Sequence, residues 1–334
     1  MVFPALAGIF LLASCSKDPE IPLSGTYTPE LPPGFPELKI PESNPITYEK
    51  IQLGKALFFE KGLSRDSSLS CASCHRQENA FSDPGPVSTG IGGLTGIRNA
   101  SPLFNLAWKA DFFRDGGVQS LELTPLNSLH AKNEFDSNTA EMLERLKRST
   151  EYMRLFKIAF NDTITINGAL QAMASFMRSM ISGNSAFDEY LTGKTDALTE
   201  SQIRGMNLFF SDKTSCSECH GGFNFRKEGF FNNGFFEQYP DSGRQRITLL
   251  ESDRAKFSVP SLRNISLTAP YMHNGSVNEL SDIIEIYNQG GFANPNKSEF
   301  IRPLGLSEEE KADLVSFLNS LSDYAFINNE AFRP

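Results

Sequence analysis

Apolar residues recur at helical spacing along most of the chain, and the alternation that marks strands is scarce. Ile203, Met206 and Phe210 share one helical face, and Thr199 with Gln202 forms a capping box ahead of them. Leu280, Ile283, Ile284 and Tyr287 make a second stripe, opened by Ser276 and Glu279 and stopped by Gly290-Gly291. Leu314, Leu318 and Leu321 make a third, opened by Ser307 and Glu310. Residues 140–146 and 170–181 read as further amphipathic helices. Residues 81–100 and 222–260 are Gly-rich or polar and read as loops. The pattern predicts a mainly α fold with long loops.

The ends of the chain read differently. The first fourteen residues, MVFPALAGIFLLAS, are apolar but too short to span a bilayer. They resemble the core of an export signal, although no Lys or Arg precedes them. Leu12-Ala13-Ser14-Cys15 looks like a bacterial lipobox, so Cys15 is expected to carry a lipid and residues 1–15 to be the signal. Eight prolines between 19 and 45 predict an extended, poorly structured tether over residues 16–45. With 334 residues and 40% hydrophobic content there is room for two domains. The net charge of −9 offers nothing to nucleic acid and suits steering of a basic protein donor.

Chemistry enters with a pentapeptide that occurs twice, Cys71-Ala-Ser-Cys74-His75 and Cys216-Ser-Glu-Cys219-His220. C-x-x-C-H attaches c-type haem: the two thiols bond the porphyrin vinyl groups and the adjacent imidazole ligates iron. Zinc would need its ligands paired at other spacings, and a redox C-x-x-C needs no following His. Two covalent haems are therefore expected, with His75 and His220 on the irons. Haem attachment outside the cytoplasm agrees with an exported chain.

The motif cysteines Cys71 and Cys216 stand 145 residues apart, and their surroundings repeat. Gly54-Lys-Ala-Leu-Phe-Phe59 precedes the first motif and Gly205-Met-Asn-Leu-Phe-Phe210 the second. Ile97-Arg98-Asn99 and Leu262-Arg263-Asn264 follow them as a second echo. The repeat predicts two tandem cytochrome c-like domains, over residues 46–195 and 196–334.

Four further stretches flank the haem motifs: Thr89-Gly-Ile-Gly-Gly-Leu-Thr-Gly-Ile-Arg-Asn99, Phe112-Phe-Arg-Asp-Gly-Gly117, Phe257-Ser-Val-Pro-Ser-Leu-Arg-Asn264 and Leu267-Thr-Ala-Pro-Tyr-Met-His-Asn-Gly275. On these, residues 46–325 resemble the bacterial di-haem cytochrome c peroxidases, including their MauG-like branch. The resemblance implies a peroxidatic first haem and an electron-relaying second haem. Many members cap the first iron with a His from the following loop. Residues 76–100 contain none, which implies an open iron face.

Glu134 aligns with the family's distal glutamate, which would move a proton between the peroxide oxygens. His130 is a second shuttle, a substitute iron ligand or a solvent-facing loop residue. Arg114 stands where the family has a Trp between the haems, and Thr124 where it has a Gln. Trp108, the chain's only Trp, is a packing residue or a displaced relay. For the second iron the family position falls on Tyr287, with Met272 as the alternative. An oxygen ligand lowers the potential relative to Met. The resemblance further implies one calcium ion at Asn99, Thr268 and Pro270. Arg98 and Arg263 suit haem propionates, or form ordinary salt bridges.

The function implied is reduction of hydrogen peroxide to water with electrons from a small c-type cytochrome. The setting would be the periplasmic side of a bacterial membrane, with a homodimer left open. The alternatives are a MauG-like peroxide-dependent oxidase of a partner protein and a non-catalytic di-haem electron carrier. Arg114 and Thr124 favour the carrier, and Glu134 opposes it.

Overall fold

The computed structural model describes residues 24–334, so the signal segment, Cys15 and the start of the tether lie outside the described residues. The fold is mainly helical. Its one regular sheet among the described residues is the two-residue antiparallel pair Phe230–Phe231 and Phe257–Ser258.

Two helix crossings organise the chain, and each explains one copy of the Gly-x-x-Leu/Phe echo. Helix Tyr48–Phe59 crosses helix Ile166–Ser179, and a Cβ added at Gly54 would stand 2.0 Å from the Ala172 carbonyl oxygen. Helix Glu200–Phe209 crosses helix Glu308–Asn319, where a Cβ at Gly205 would stand 1.9 Å from the Asp313 oxygen. Only glycine lets these backbones touch. The residues that follow, Leu57, Phe58 and Phe209, then reach the core. Gly54→Ala or Gly205→Ala is expected to cost about 3 kcal/mol, at the upper end of overpacking penalties. Chemical denaturation of the holoprotein checks this, and an unchanged midpoint would refute the close-crossing account.

The capping boxes at Thr199–Gln202 and Ser307–Glu310 form as the sequence predicts. The box at Ser276 does not. That helix runs Leu280–Asn288, with Glu279 at its N-cap, and the Ser276 hydroxyl donates to Asn274 Oδ1 instead. Val277 still pairs back on Tyr271 as an isolated bridge, so the turn is not finished at Ser276. Gly290 and Gly291 stop the helix at φ 80° and 62°, in the left-handed region.

The cores cross the expected division at 195. Phe187 packs with Phe209, Phe225 and Phe317 in the second half's core. Phe326 and Phe332, from the far end of the chain, return to the first half's core beside Phe58, Phe81 and Phe176. The tether is also altered where it is described. Residues 24–45 are laid against the protein, with Thr26 bridging Thr47. The Phe35 ring packs edge-on against Phe223 at 4.7 Å and Trp108 at 5.5 Å, and the Arg263 guanidinium lies 4.8 Å from its centre. An aromatic slot, not a proline rod, decides the path there.

A fold-level repeat replaces one sequence echo. Asn105 and Asn264 both adopt left-handed backbone and open 3-10 turns, Leu106–Trp108 and Ile265–Leu267. Phe112 pairs with Val118 as Tyr271 pairs with Val277, and Gly116 and Gly275 share φ 66°. All three correspondences have an offset of 159 residues. The counterpart of 262–264 is therefore 103–105, not 97–99, and Arg114 and His273 are equivalent positions.

A buried ion pair braces the first half. Burial alone would raise the Glu122 carboxyl, but hydrogen bonds from Arg178 at 2.5 Å and Asn44 at 3.0 Å hold it at about 2. Its folded value lies below its ordinary one, so the stabilisation is full above about pH 4.5 and is lost as pH falls towards 2. Glu122→Gln is expected to cost about 3 kcal/mol at neutral pH and to flatten this acid limb. Denaturation midpoints against pH read both effects, and a variant with the wild-type acid limb would contradict the assignment.

Candidate haem sites

The first motif forms a one-turn helix, Cys71–Cys74, opened by a reciprocal Ser70–Ser73 cap. His75 Nδ1 lies 2.8 Å from the Phe81 carbonyl oxygen. With the proton assigned to Nδ1, Nε2 keeps a lone pair for a metal. Burial holds the His75 imidazole below its ordinary value, so it is neutral and ligand-competent. Burial pushes the Cys71 thiol up to about 12, and the neighbouring Cys74 and Glu134 charges add to the effect.

The Glu134 charge also adds to the field at His75. The Glu134 segment is clamped by the Gly-rich stretch. A Cβ at Gly90 would stand 2.1 Å from the Asn133 oxygen, and the Ile91 amide donates to the Glu134 carbonyl at 3.0 Å. Thr124 spends its hydroxyl on the Leu121 carbonyl. His130 is exposed, with Nε2 2.7 Å from Thr139 Oγ1, and lines a surface cavity with Gly117, Leu126, Arg244 and Ile247.

The second motif, Cys216–His220, repeats the first. His220 Nδ1 lies 3.3 Å from the Phe225 carbonyl, and burial lowers the imidazole to about 4. One cavity is lined by Cys216, Cys219 and His220 together with Met272 and Tyr287. Burial pushes the Tyr287 phenol up to about 12. One side chain reaches both candidate ligands: Asn233 Nδ2 donates to Tyr287 Oη at 3.2 Å and to Met272 Sδ at 3.5 Å. Asn233 Oδ1 in turn accepts from the Tyr239 hydroxyl at 3.0 Å. Asn233 lies in a stretch that reads only as polar loop, so no motif signals it.

Charges between the sites are arranged unlike the sequence expectation. Arg98 donates to Asp241 at 2.6 and 2.9 Å and to Asp115 at 2.6 Å. Arg263 forks onto Asp188 at 2.8 and 2.9 Å and donates to the Phe223 carbonyl. Both guanidiniums proposed for propionates are thus engaged by protein acceptors, as ordinary buried salt bridges. Among the described residues, Arg114 and Lys109 have no carboxylate within ion-pair distance. Burial lowers Lys109 to about 8, helped by the charge of Arg226. Trp108 is a packing residue, wedged against Phe35 and Phe223 with its indole N–H on the Pro36 carbonyl.

The residues fit a covalent haem at each motif: paired free thiols, a neutral imidazole with its far nitrogen tied, and at the second site a shared cavity. They do not fit calcium. Asn99 Oδ1 already accepts from Arg114 Nη2 at 3.0 Å. A divalent ion about 4 Å from that guanidinium would be repelled by about 8 kcal/mol at an effective dielectric constant of 20. No group of three or more His, Cys, Asp or Glu side chains is placed to hold a metal among the described residues.

A helical protein with two C-x-x-C-H sites, each with its imidazole prepared for iron, is a di-haem c-type cytochrome in architecture. The chain belongs to the di-haem cytochrome c peroxidase family. The family model of that description matches residues 48–196. The chain is 35% identical to the methylamine utilization protein MauG of Methylorubrum extorquens, covering 84% of this chain and 80% of that one. It is 32% identical to the cytochrome c551 peroxidase of Pseudomonas aeruginosa, covering 83% and 80%. Among solved structures, a MauG-like protein associated with microbial copper homeostasis superimposes with a TM-score of 0.88 at 35% identity, over 92% of this chain and 99% of that one.

Proposed function

We propose that the chain reduces hydrogen peroxide at the first site, with electrons delivered by a small c-type cytochrome through the second. Each turnover takes one peroxide, two electrons and two protons to two waters. Bound haem supplies the redox-active iron at each site. The observation that carries the reading is Glu134, fixed by the Gly90–Ile91 clamp next to the Cys71–His75 motif.

The roles of the residues follow from their surroundings. His75 and His220 would hold the irons through Nε2, and the Phe81 and Phe225 carbonyls fix the rings for it. Glu134 takes the proton from the inner peroxide oxygen and returns it to the outer one, which makes water the leaving group. The other two histidines have other partners. His130 is turned to Thr139, and His273 is buried and stacked on Phe257 at 4.1 Å, which supports the reading that neither would hold the first iron. Tyr287 would hold the second iron, with Asn233 steadying its oxygen.

The first-half and second-half cores support one haem domain each, with Phe187, Phe326 and Phe332 exchanged across the boundary. The apolar start and Cys15 support export and a lipid anchor on the periplasmic side. A second reading, peroxide-driven oxidation of a partner protein, is favoured by the oxygen donor at Tyr287. Mixing the ferric holoprotein with peroxide, with and without a reduced cytochrome, separates the readings. Rapid oxidation of the cytochrome supports the peroxidase. A cytochrome left reduced while a candidate partner protein gains oxidised side chains overturns it in favour of the second reading.

A further inference from the structure

We infer that Arg114 is a built-in replacement for the divalent cation between the two halves, so that this protein joins its haem domains without calcium.

Asn99 is the meeting point of the two equivalent turns. It is buried, and all its polar groups are committed. Its amide donates to the His273 carbonyl at 2.8 Å, which ties it to the second half. Its Nδ2 donates to the Gly85 carbonyl at 3.2 Å. Its Oδ1 accepts from Arg114 Nη2 at 3.0 Å, and its own carbonyl lies 3.4 Å from Arg114 Nε. The guanidinium thus grips both oxygens of one residue. Those are the kind of neutral oxygens a hard cation takes from a protein.

The second turn closes the bridge. The Arg114 carbonyl accepts from the Ser258 amide at 2.8 Å, so the residue is tied to the second half by its backbone while its side chain holds Asn99. The local charge is already positive. Burial presses the Arg114 guanidinium down to about 10, and the charge of Arg98 adds to the effect. The carboxylates that might offset another cation, Asp115 and Asp241, are consumed by Arg98 and Arg246. Calcium sites gain affinity from negative ligands, and this one offers none. The same substitution removes the aromatic bridge from between the halves. One residue therefore accounts for both the missing aromatic and the filled cation site.

The inference does not depend on which reaction the protein performs, so its test reads stability and metal content. The di-haem holoprotein is purified and its calcium content measured. Its melting temperature is then taken in excess EGTA and in excess calcium. Wild type is expected to carry substoichiometric calcium and to melt alike in both. Arg114→Gln, which keeps a polar side chain but loses the charge, is expected to melt lower in EGTA and to be raised by calcium. Arg114→Lys, which keeps the charge, is expected to melt alike in both. One calcium per wild-type chain, a wild-type melting temperature that falls in EGTA, or an Arg114→Gln variant that calcium does not raise would each overturn it. The wild-type measurements decide the matter even if the Gln variant does not fold.

Discussion

Glu134→Gln is expected to slow peroxide turnover by about 10²–10⁴-fold, the usual worth of a positioned proton shuttle. The amide keeps the shape and the backbone contacts of the segment, so both haem spectra and the melting temperature should stay as in wild type. The variant separates the carboxylate from the clamp that holds it. Steady-state oxidation of a reduced cytochrome at saturating peroxide gives the rate. Turnover within about tenfold of wild type would assign the proton transfer to another group or to water. His130→Ala is the control. With its ring turned outward onto Thr139, that change is expected to leave the rate within about twofold, below the range of a proton shuttle.

Tyr287→Phe is expected to raise the potential of the second haem by on the order of 0.1 V, within the ~0.8 V that axial ligands command. The reason lies in Asn233. Its amide holds the Tyr287 oxygen and the Met272 sulfur at 3.2 and 3.5 Å, so removing the phenol leaves a thioether already gathered at the same spot. Sulfur stabilises the ferrous state more than an anionic oxygen does. A redox titration reads the change directly. A potential that does not move would mean that Met272 is the resting ligand, and then Met272→Leu should shift it instead.

Much of this protein is visible in its sequence because its chemistry is local. The haem motifs need five consecutive residues, and the capping boxes at Thr199 and Ser307 need four. The glycines at 54 and 205 could be noticed as an echo, but their cause lies in Ala172 and Asp313, more than a hundred residues along the chain. Where local signals mislead, a distant partner has won. Ser276 looks like a helix start, yet a bridge back to Tyr271 keeps it in a turn. Arg98 and Arg263 suit propionates by type, yet Asp241, Asp115 and Asp188 reach them first. Asn233 and Lys109 were silent for the same reason, since their meaning comes only from what surrounds them. The 159-residue correspondence is written in Leu103/Leu262, Asn105/Asn264, Ala110/Ala269, Gly116/Gly275 and Val118/Val277, but its offset differs from the 145 residues between the haem motifs, so the nearer Arg-Asn echo masks it until the backbone at Asn105 and Asn264 is seen.

Phe326 and Phe332 give the fold a consequence for its assembly. They complete the packing around Phe81, whose carbonyl orients His75, so the first half's core is closed by residues more than two hundred positions along the chain from the haem motif. Until that distant stretch is in place the Cys71–His75 segment therefore belongs to an unfinished body. The ligation machinery can reach its thiols before the ring cluster shuts over them. The order of the chain keeps the first motif open until the distant aromatic pair closes over it.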